Sequence, residues 1–337
     1  MRKKTMTMKT ENTIVAVNQW NANFSQTIQK ELVHKDFLSE VFLTDSKQIT
    51  SDCFLISALL PKTHFYYNDV FSHFQQSYDS ALILEVCRQV SIYVAHIFYG
   101  VSFDSKFIFD SADFEQYIGH NTYTNDINDY KVIIHSKVID KKVKKNALCG
   151  LEIDMNIYIN SKLYGFKSMK FSWITPRMWH KLRYASQKHN HIMQKTKQIS
   201  KEVVCKENIL NVVIGDFTER ANIFQATIIA NQNHPAFFDH PLDHISGILI
   251  IEAIKQFALA VCSNICNCKS TELQFKSIKV EFKNFCEFYN LNICYLPKEN
   301  ICVKDNEISM DIRIKTADSN ESVLSKVTFI KFGKIND

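Results

Sequence analysis

No stretch of this 337-residue sequence reaches the ~18 consecutive apolar residues of a membrane-crossing helix; the longest candidate, within 247–262, is interrupted by Glu252 and Lys255. No apolar block follows the basic opening Met1-Arg2-Lys3-Lys4 either. The first absence argues against a membrane protein and the second against a secretory leader, so a cytoplasmic location is expected. Dense Lys/Arg clusters interleaved with aromatics are missing, and the net charge is only +5. Nucleic acid is therefore not an expected partner. Paired cysteine spacings are absent as well: ten cysteines are scattered through the chain, most simply read as reduced and buried. Cys262, Cys266 and Cys268 crowd together, but no CxxC or His pair completes four ligands. No metal and no cofactor is expected.

What the sequence does hold is a repeat. Two apolar helical stretches, from Ala81 to Ala95 and from Gly247 to Cys262, each carry a single polar stripe, Glu85-x-x-Arg88-Gln89 and Glu252-x-x-Lys255-Gln256. Positions i, i+3 and i+4 share one helical face, so each stripe gathers its three side chains in one place. A helix apolar on its remaining faces is buried, and a buried carboxylate costs several kcal/mol unless paired or used. Glu252 follows Glu85 by 167 residues, and the same shift takes Phe71 to Phe238 and His73 to His240. Upstream, Val33-His34-Lys35 matches Val204-Cys205-Lys206 at a shift of 171. The length suits about two domains of ~150 residues. Residues 1–28 are expected to be frayed, 29–178 and 201–335 to be the two modules, and 179–200 a basic helical linker.

In the first module strand patterns fall at 40–44, 52–60, 106–109, 131–139, 151–159 and 163–173; the segment 151–159 alternates strictly, as a half-buried strand does. In the second they fall at 209–214, 222–230, 276–282, 285–295, 307–315 and 322–332. The class is α+β. One curved antiparallel sheet wrapped around a central buried helix is the hotdog arrangement, and two modules would pair their sheets edge to edge.

The segment Asp239-His240-Pro241-x-Asp243-His244-x-x-Gly247, continuing through Glu252 to Gln256, is similar to the loop and helix of hotdog β-hydroxyacyl-thioester dehydratases. With Glu85 to Gln89, the paired openings at Lys35 and Lys206, and Thr175-Pro176 with Trp179 and Arg183, the chain more closely resembles the A-factor biosynthesis hotdog (AfsA-like) family, over about 30–335. That resemblance implies a tandem hotdog acting in γ-butyrolactone signal synthesis. It would join a β-ketoacyl group, carried as a thioester on acyl carrier protein or coenzyme A, to the hydroxyl of dihydroxyacetone phosphate or a similar acceptor. The residues implicated in the family fall on Glu85, Glu252 and Lys255. The family usually has arginine at the last, so here a bidentate grip becomes a point charge.

Acyl transfer to an alcohol needs a base, donors for the developing oxyanion and a cation for an anionic acceptor. Glu252, desolvated and so raised in pKa, is the first choice of base, with Glu85, His240 and His244 as further catalytic candidates. The helix start at Gly247 offers free N–H groups; Lys255, Arg88, Gln256 and Gln89 are candidates for binding substrate. Each has a plainer reading. The Glu/Arg and Glu/Lys stripes could be simple i, i+3 ion pairs, His73, His240 and His244 turn residues, and Asp239 and Asp243 loop and capping residues. Cys87 lies in an apolar stretch where a thiol stays protonated. The alternatives in function are a dehydratase or thioesterase using His240 and Glu252, or a non-catalytic acyl-binding protein. The chain is expected to be a monomeric double hotdog or a homo-oligomer.

Overall fold

Both apolar stretches are helices in the computed structural model, which describes residue 17 and residues 19–69, 79–117, 127–184, 196–265, 269–316 and 319–331. Helix α1 (Ser80–Tyr99) starts at Asp79, whose carboxylate accepts the Ala81 N–H at 2.8 Å. It stops at Gly100, whose φ of 65° is the left-handed conformation that a helix end favours and glycine adopts freely. Helix α2 (Pro176–Arg183) is short, opened by the Thr175 cap and Pro176. Helix α3 (Gly247–Ile265) is, like α1, buried over most of its surface. By length and apolarity α1 and α3 could each cross a membrane, but most of each lies inside the protein.

The thirteen strands among the described residues make one antiparallel sheet. Strands β1 (Leu43–Thr50), β2 (Cys53–Leu59), β3 (Lys106–Gln116), β4 (Lys131–Lys144), β5 (Ala147–Ile159) and β6 (Lys162–Ile174) run in the order β1-β2-β4-β5-β6-β3. The second half is β7 (Ile214–Arg220), β8 (Ile223–Ile228), β9 (Leu273–Phe282), β10 (Asn292–Pro297), β11 (Ile301–Lys304), β12 (Glu307–Thr316) and β13 (Glu321–Lys331). Its order, β7-β8-β10-β12-β13-β9 with β11 added on β12, repeats the first. The halves meet through β3 and β9, with Ser111 opposite Glu281 and Phe114 opposite Ile278. A shift of 167 residues turns the first pair into the second, as a two-fold axis between the two strands requires. This is a double hotdog, with one continuous sheet curved around two central helices.

Alternation fills the space between sheet and helices. Strand β5 turns Leu151, Ile153, Met155 and Ile157 inward, and β12 does the same with Ile308, Met310, Ile312 and Ile314. Each such side chain contributes about 1.5–3 kcal/mol by burial. One large apolar core runs through both halves, and a small second cluster joins Val17, Leu55 and Tyr158. Two short 3₁₀ turns, Lys30–Val33 and Lys201–Val204, end in left-handed residues, His34 (φ 53°) and Cys205 (φ 56°). These reversals drive Lys35 and Lys206 into the interior, 7% and 2% exposed.

Several boundaries differ from the sequence reading. The strand expected at 40–44 begins at Leu43 and runs on through polar residues to Thr50, because β1 is an edge strand with a solvated end. Residues 38–40 form a 3₁₀ turn that brings Glu40 to His64. The strand expected at 209–214 begins only at Ile214, since Ile209–Asn211 turn in the same way and bring Asn211 to His234. Of 285–295 only Asn292 onward is strand; Cys286 and Glu287 instead hold the loop before α3, through Ile245 N–H and Arg183. The helix expected within 179–200 starts at Pro176 and packs against the second half through Trp179 and Arg183. Residues 185–195 lie outside the described residues.

Candidate active site

The two stripes have the same internal wiring. Gln89 accepts the Phe42 N–H at 3.0 Å and donates to Glu40 O at 2.7 Å and Glu85 Oε1 at 3.0 Å. Gln256 accepts the Val213 N–H at 2.9 Å and donates to Asn211 O and Glu252 Oε1, both at 2.8 Å. Both donors and the acceptor of each amide are thus occupied. Each glutamine locks its carboxylate to the start of its own sheet, and neither is available to a substrate.

The carboxylates themselves are ion-paired. Glu85, 1% exposed, takes Arg88 through Nε and Nη2 at 2.8 Å each and Lys35 at 3.2 Å. Burial would raise the Glu85 carboxyl, but Arg88 and Lys35 outweigh it and hold the group well below the usual carboxylate range. Glu252, fully buried, meets Lys255 at 2.8 Å and Lys206 at 3.5 Å. Its pKa is lowered as well, burial being outweighed by Lys206 and Lys255. The rise expected from desolvation does not occur, because the sequence shows the apolar helix but not the lysine delivered from residue 206.

The halves diverge in what faces these cations. In the second, Asp79 at the start of α1 lies 3.0 Å from Lys255 and 3.7 Å from Lys206. Two lysines and two carboxylates close on each other, and Lys206 also sits 4.3 Å from the Tyr66 ring centroid. In the first, Glu85, Arg88 and Lys35 line a cavity of about 390 Å³ that is also lined by residues of the second half, from Ala236 in the loop before α3 to Ile251 in its first turns. Leu84, Ile92, Phe107, Phe109 and Met169 make its apolar side. Glu252 and Lys255 do not line it. Residues 70–78, including His73, lie outside the described residues, as do Cys266 and Cys268.

Two Asp–His pairs also line the cavity. His240 Nδ1 is 2.8 Å from Asp239 Oδ1, and Asp239 accepts the Asp36 N–H at 3.0 Å and lies 3.6 Å from Lys35. His244 Nδ1 is 2.6 Å from Asp243 Oδ1, and Asp243 Oδ2 accepts from Trp179 Nε1 and Arg183 Nε at 3.2 Å each. Arg183 also grips Glu287 with both terminal nitrogens, at 2.5 and 2.7 Å. Burial works against ionisation of Asp243, but the His244 bond and Arg183 bring its carboxyl down to about 2. An imidazole whose Nδ1 is held by a carboxylate has its Nε2 fixed in direction, the arrangement of an oriented general base. Gly247 and Ile248, at the cavity wall, open α3, so their N–H groups lack intrahelical acceptors.

The structure therefore brings Glu85, Arg88, His240, His244 and Gly247 to one cavity, and sets Glu252, Lys255, Gln256 and Gln89 apart from it. The sequence reading gives Asp239 and Asp243 only loop and capping roles and does not name Lys167. Asp239 and Asp243 were legible as two Asp-His dipeptides four residues apart. Lys167, 2% exposed, lines the cavity and donates to Leu84 O at 3.2 Å; burial lowers its pKa. A lone lysine in a strand gave no signal. His34, also on the wall, is held at about 3, chiefly by burial, then by His96 and Arg88. Cys87 is buried with its thiol pushed up to about 11. Among the described residues no group of His, Cys, Asp and Glu could hold a metal ion.

A family model for the A-factor biosynthesis hotdog domain matches residues 17–175 and 187–287. Relatives named 2-oxo-3-(phosphooxy)propyl 3-oxoalkanoate synthase include one from Streptomyces virginiae, 24% identical over 239 residues, covering 70% of this chain and 78% of the relative. Another, from Streptomyces griseus, is 21% identical over 233 residues, covering 68% and 74%. Among solved structures, a protein described as an oleoyl thioesterase of Lactobacillus plantarum superposes with a TM-score of 0.50 at 8% identity, over 85% of this chain and 99% of that one. The last comparison supports the fold alone.

Proposed function

This chain belongs to the A-factor biosynthesis hotdog family, and from that premise we propose that it is an acyltransferase that joins a β-ketoacyl group from a thioester to the hydroxyl of dihydroxyacetone phosphate. The product named for its relatives, a 2-oxo-3-(phosphooxy)propyl 3-oxoalkanoate, is the ester of those two parts. The observation that carries the reading is the one cavity lined by the His240–Asp239 pair of the second half and by Arg88 of the first.

In this reading His240 Nε2 takes the hydroxyl proton while the alcohol oxygen attacks the thioester carbonyl. Asp239 keeps the imidazole oriented. The N–H groups of Gly247 and Ile248 receive the developing oxyanion. The attack forms the C–O bond; collapse of the tetrahedral intermediate restores the C=O bond and breaks the C–S bond, and His240 returns its proton to the leaving thiolate. Glu85 stays ionised throughout and serves to hold Arg88 in place. The charge around the cavity suits a phosphate ester. Glu85 and Asp239 balance Arg88 and Lys35, Asp243 is answered by Arg183, and Lys106 and Lys167 have no carboxylate within ion-pair distance among the described residues. Two uncompensated lysines beside a guanidinium favour a dianion. The apolar wall suits the acyl chain.

Mass spectrometry of a reaction with a β-ketoacyl thioester and dihydroxyacetone phosphate tests the proposal. The phosphorylated ester, formed with one thiol released, is the expected product. Free β-keto acid formed equally well without the acceptor would instead identify a thioesterase. Turnover only of β-hydroxyacyl thioesters, with loss of water, would identify a dehydratase.

A further inference from the structure

The outer face of α2 is basic and apolar, and its inner face is part of the cavity wall. Trp179 and Arg183, four residues apart, point inward: Trp179 lines the cavity and both donate to Asp243. The side turned away carries Arg177 and Lys181, both exposed, next to Met178 and Leu182, 54% and 53% exposed. These four form two i, i+4 pairs side by side on the helix. The helix has no acidic residue, and none occurs anywhere between Asp154 and Glu202, a span that contains ten Lys or Arg. Lys106, also exposed, lies on the cavity wall at the strand end paired with Ile174, two residues before α2. A net charge of +5 over the whole chain makes this run a concentrated asymmetry.

Resting on the acyl-transfer reading above, we infer that the outer face of α2 docks the acidic carrier protein that brings the β-ketoacyl thioester on its phosphopantetheine arm. Charge complementarity identifies the partner: a carrier protein presents carboxylates beside the serine that bears its arm, and Arg177 and Lys181 answer them. Met178 and Leu182 supply the apolar centre that a short-lived interface needs. Because the same helix sends Trp179 to the cavity, a carrier seated on α2 delivers its arm at the mouth rather than across the sheet.

The test uses the full chain and the double variant Arg177→Glu/Lys181→Glu, neither residue lining the cavity. Fluorescence anisotropy with labelled holo acyl carrier protein of fatty-acid synthesis measures docking without any turnover. Turnover is then measured with a β-ketoacyl chain on that carrier and on N-acetylcysteamine. The wild type is expected to bind the carrier more weakly as salt rises, and the variant at least ~10-fold more weakly. KM for the carrier-borne donor should rise by a similar factor while kcat and the N-acetylcysteamine reaction stay unchanged. Equal loss with both donors, an unaffected carrier interaction, or a wild type that does not bind the carrier would overturn the inference. So would coenzyme A thioesters proving the better donor with the same sensitivity, or phosphatidylglycerol vesicles or a second copy of the chain binding α2 in the carrier's place. Carrier binding lost in the variant with no ester formed from any donor would uphold the docking face and refute the acyl-transfer reading instead.

Discussion

Asp79 caps the helix that carries Glu85, yet its carboxylate lies 3.0 Å from Lys255 on the helix of the other half. One side chain thus ends one element and neutralises the cation of its counterpart. The four-membered cluster of Asp79, Glu252, Lys206 and Lys255 is buried and balanced, and what it supports is the joint between the two helices. The equivalent place in the first half is open to a cavity.

Asp79→Asn separates the two duties of that residue. Asparagine caps a helix about as well as aspartate, so any loss comes from the cluster. Removing one charge from a buried ion-paired group costs about 3–5 kcal/mol, and the urea midpoint at pH 7 should fall accordingly. The pH dependence has a definite sign. Asp79 and Glu252 both have pKa values lowered in the folded protein, by lysines that outweigh burial. The unfolded chain therefore takes up more protons on acidification. The cluster's contribution is full above the unfolded values of ~4 and drains as pH falls through the folded ones. Denaturation curves across pH 3–7 should be flatter for the variant.

Lys167 carries the opposite sign. Burial lowers its pKa below the ordinary 10.5, and its one described hydrogen bond is to Leu84 O. A charged form disfavoured on folding means that stability rises with pH above the folded value and levels off near 10.5. Lys167→Met should hold stability at pH 7 or raise it by about 1 kcal/mol and abolish that alkaline rise. If Lys167 meets the substrate, transfer activity falls in the same variant. Urea titrations at pH 7 to 10, run beside turnover, separate the two effects.

His240→Gln should reduce turnover by at least ~100-fold, the low end for a general base, with the melting temperature little changed. Asp239→Asn should lower kcat in the same direction and leave KM for the thioester alone, since it acts through the orientation of His240. Glu252→Gln is the contrasting case: it lies in the closed cluster, so stability should fall more than kcat. A 100-fold kcat loss in Glu252→Gln, with His240→Gln still active, would transfer the base to the second half.

The two central helices were legible because an apolar run with one polar stripe has few other solutions, and the 167-residue shift declared two like modules, though not that β3 and β9 would join them. The strand edges were not. Asp45–Thr50 carries no strand pattern because an edge strand needs no apolar end, and Phe285–Asn290 reads as strand because its apolar residues pack on a loop rather than join a ladder. The choice between the two stripes was illegible for a different reason. Glu85 and Glu252 sit in near-identical local sequence, and they are told apart by Asp79, 173 residues from Glu252, and by the loop that crosses from one half to the other. The stripe residues were found; their environments required the tertiary structure.

The same difference between the two stripes decides which cation grips phosphate. Sequence alone directs attention to Lys255, where the family usually has arginine. The folded chain gives Lys255 two carboxylate partners, Asp79 and Glu252, which outweigh burial and raise its pKa. Arg88 has one described carboxylate partner within 4 Å and lines the cavity. Arg88→Lys keeps the charge and removes the planar fork. KM for dihydroxyacetone phosphate should then rise about 10-fold or more, while KM for the acyl thioester barely moves, the pattern of lost ground-state binding to one substrate. Lys255→Met should do neither; its effect should appear in the urea midpoint. Steady-state kinetics with each substrate varied in turn decide the matter. A rise in acceptor KM for Lys255→Met alone would mean that phosphate displaces Asp79 from the lysine pair, and the acceptor site would belong to the second half.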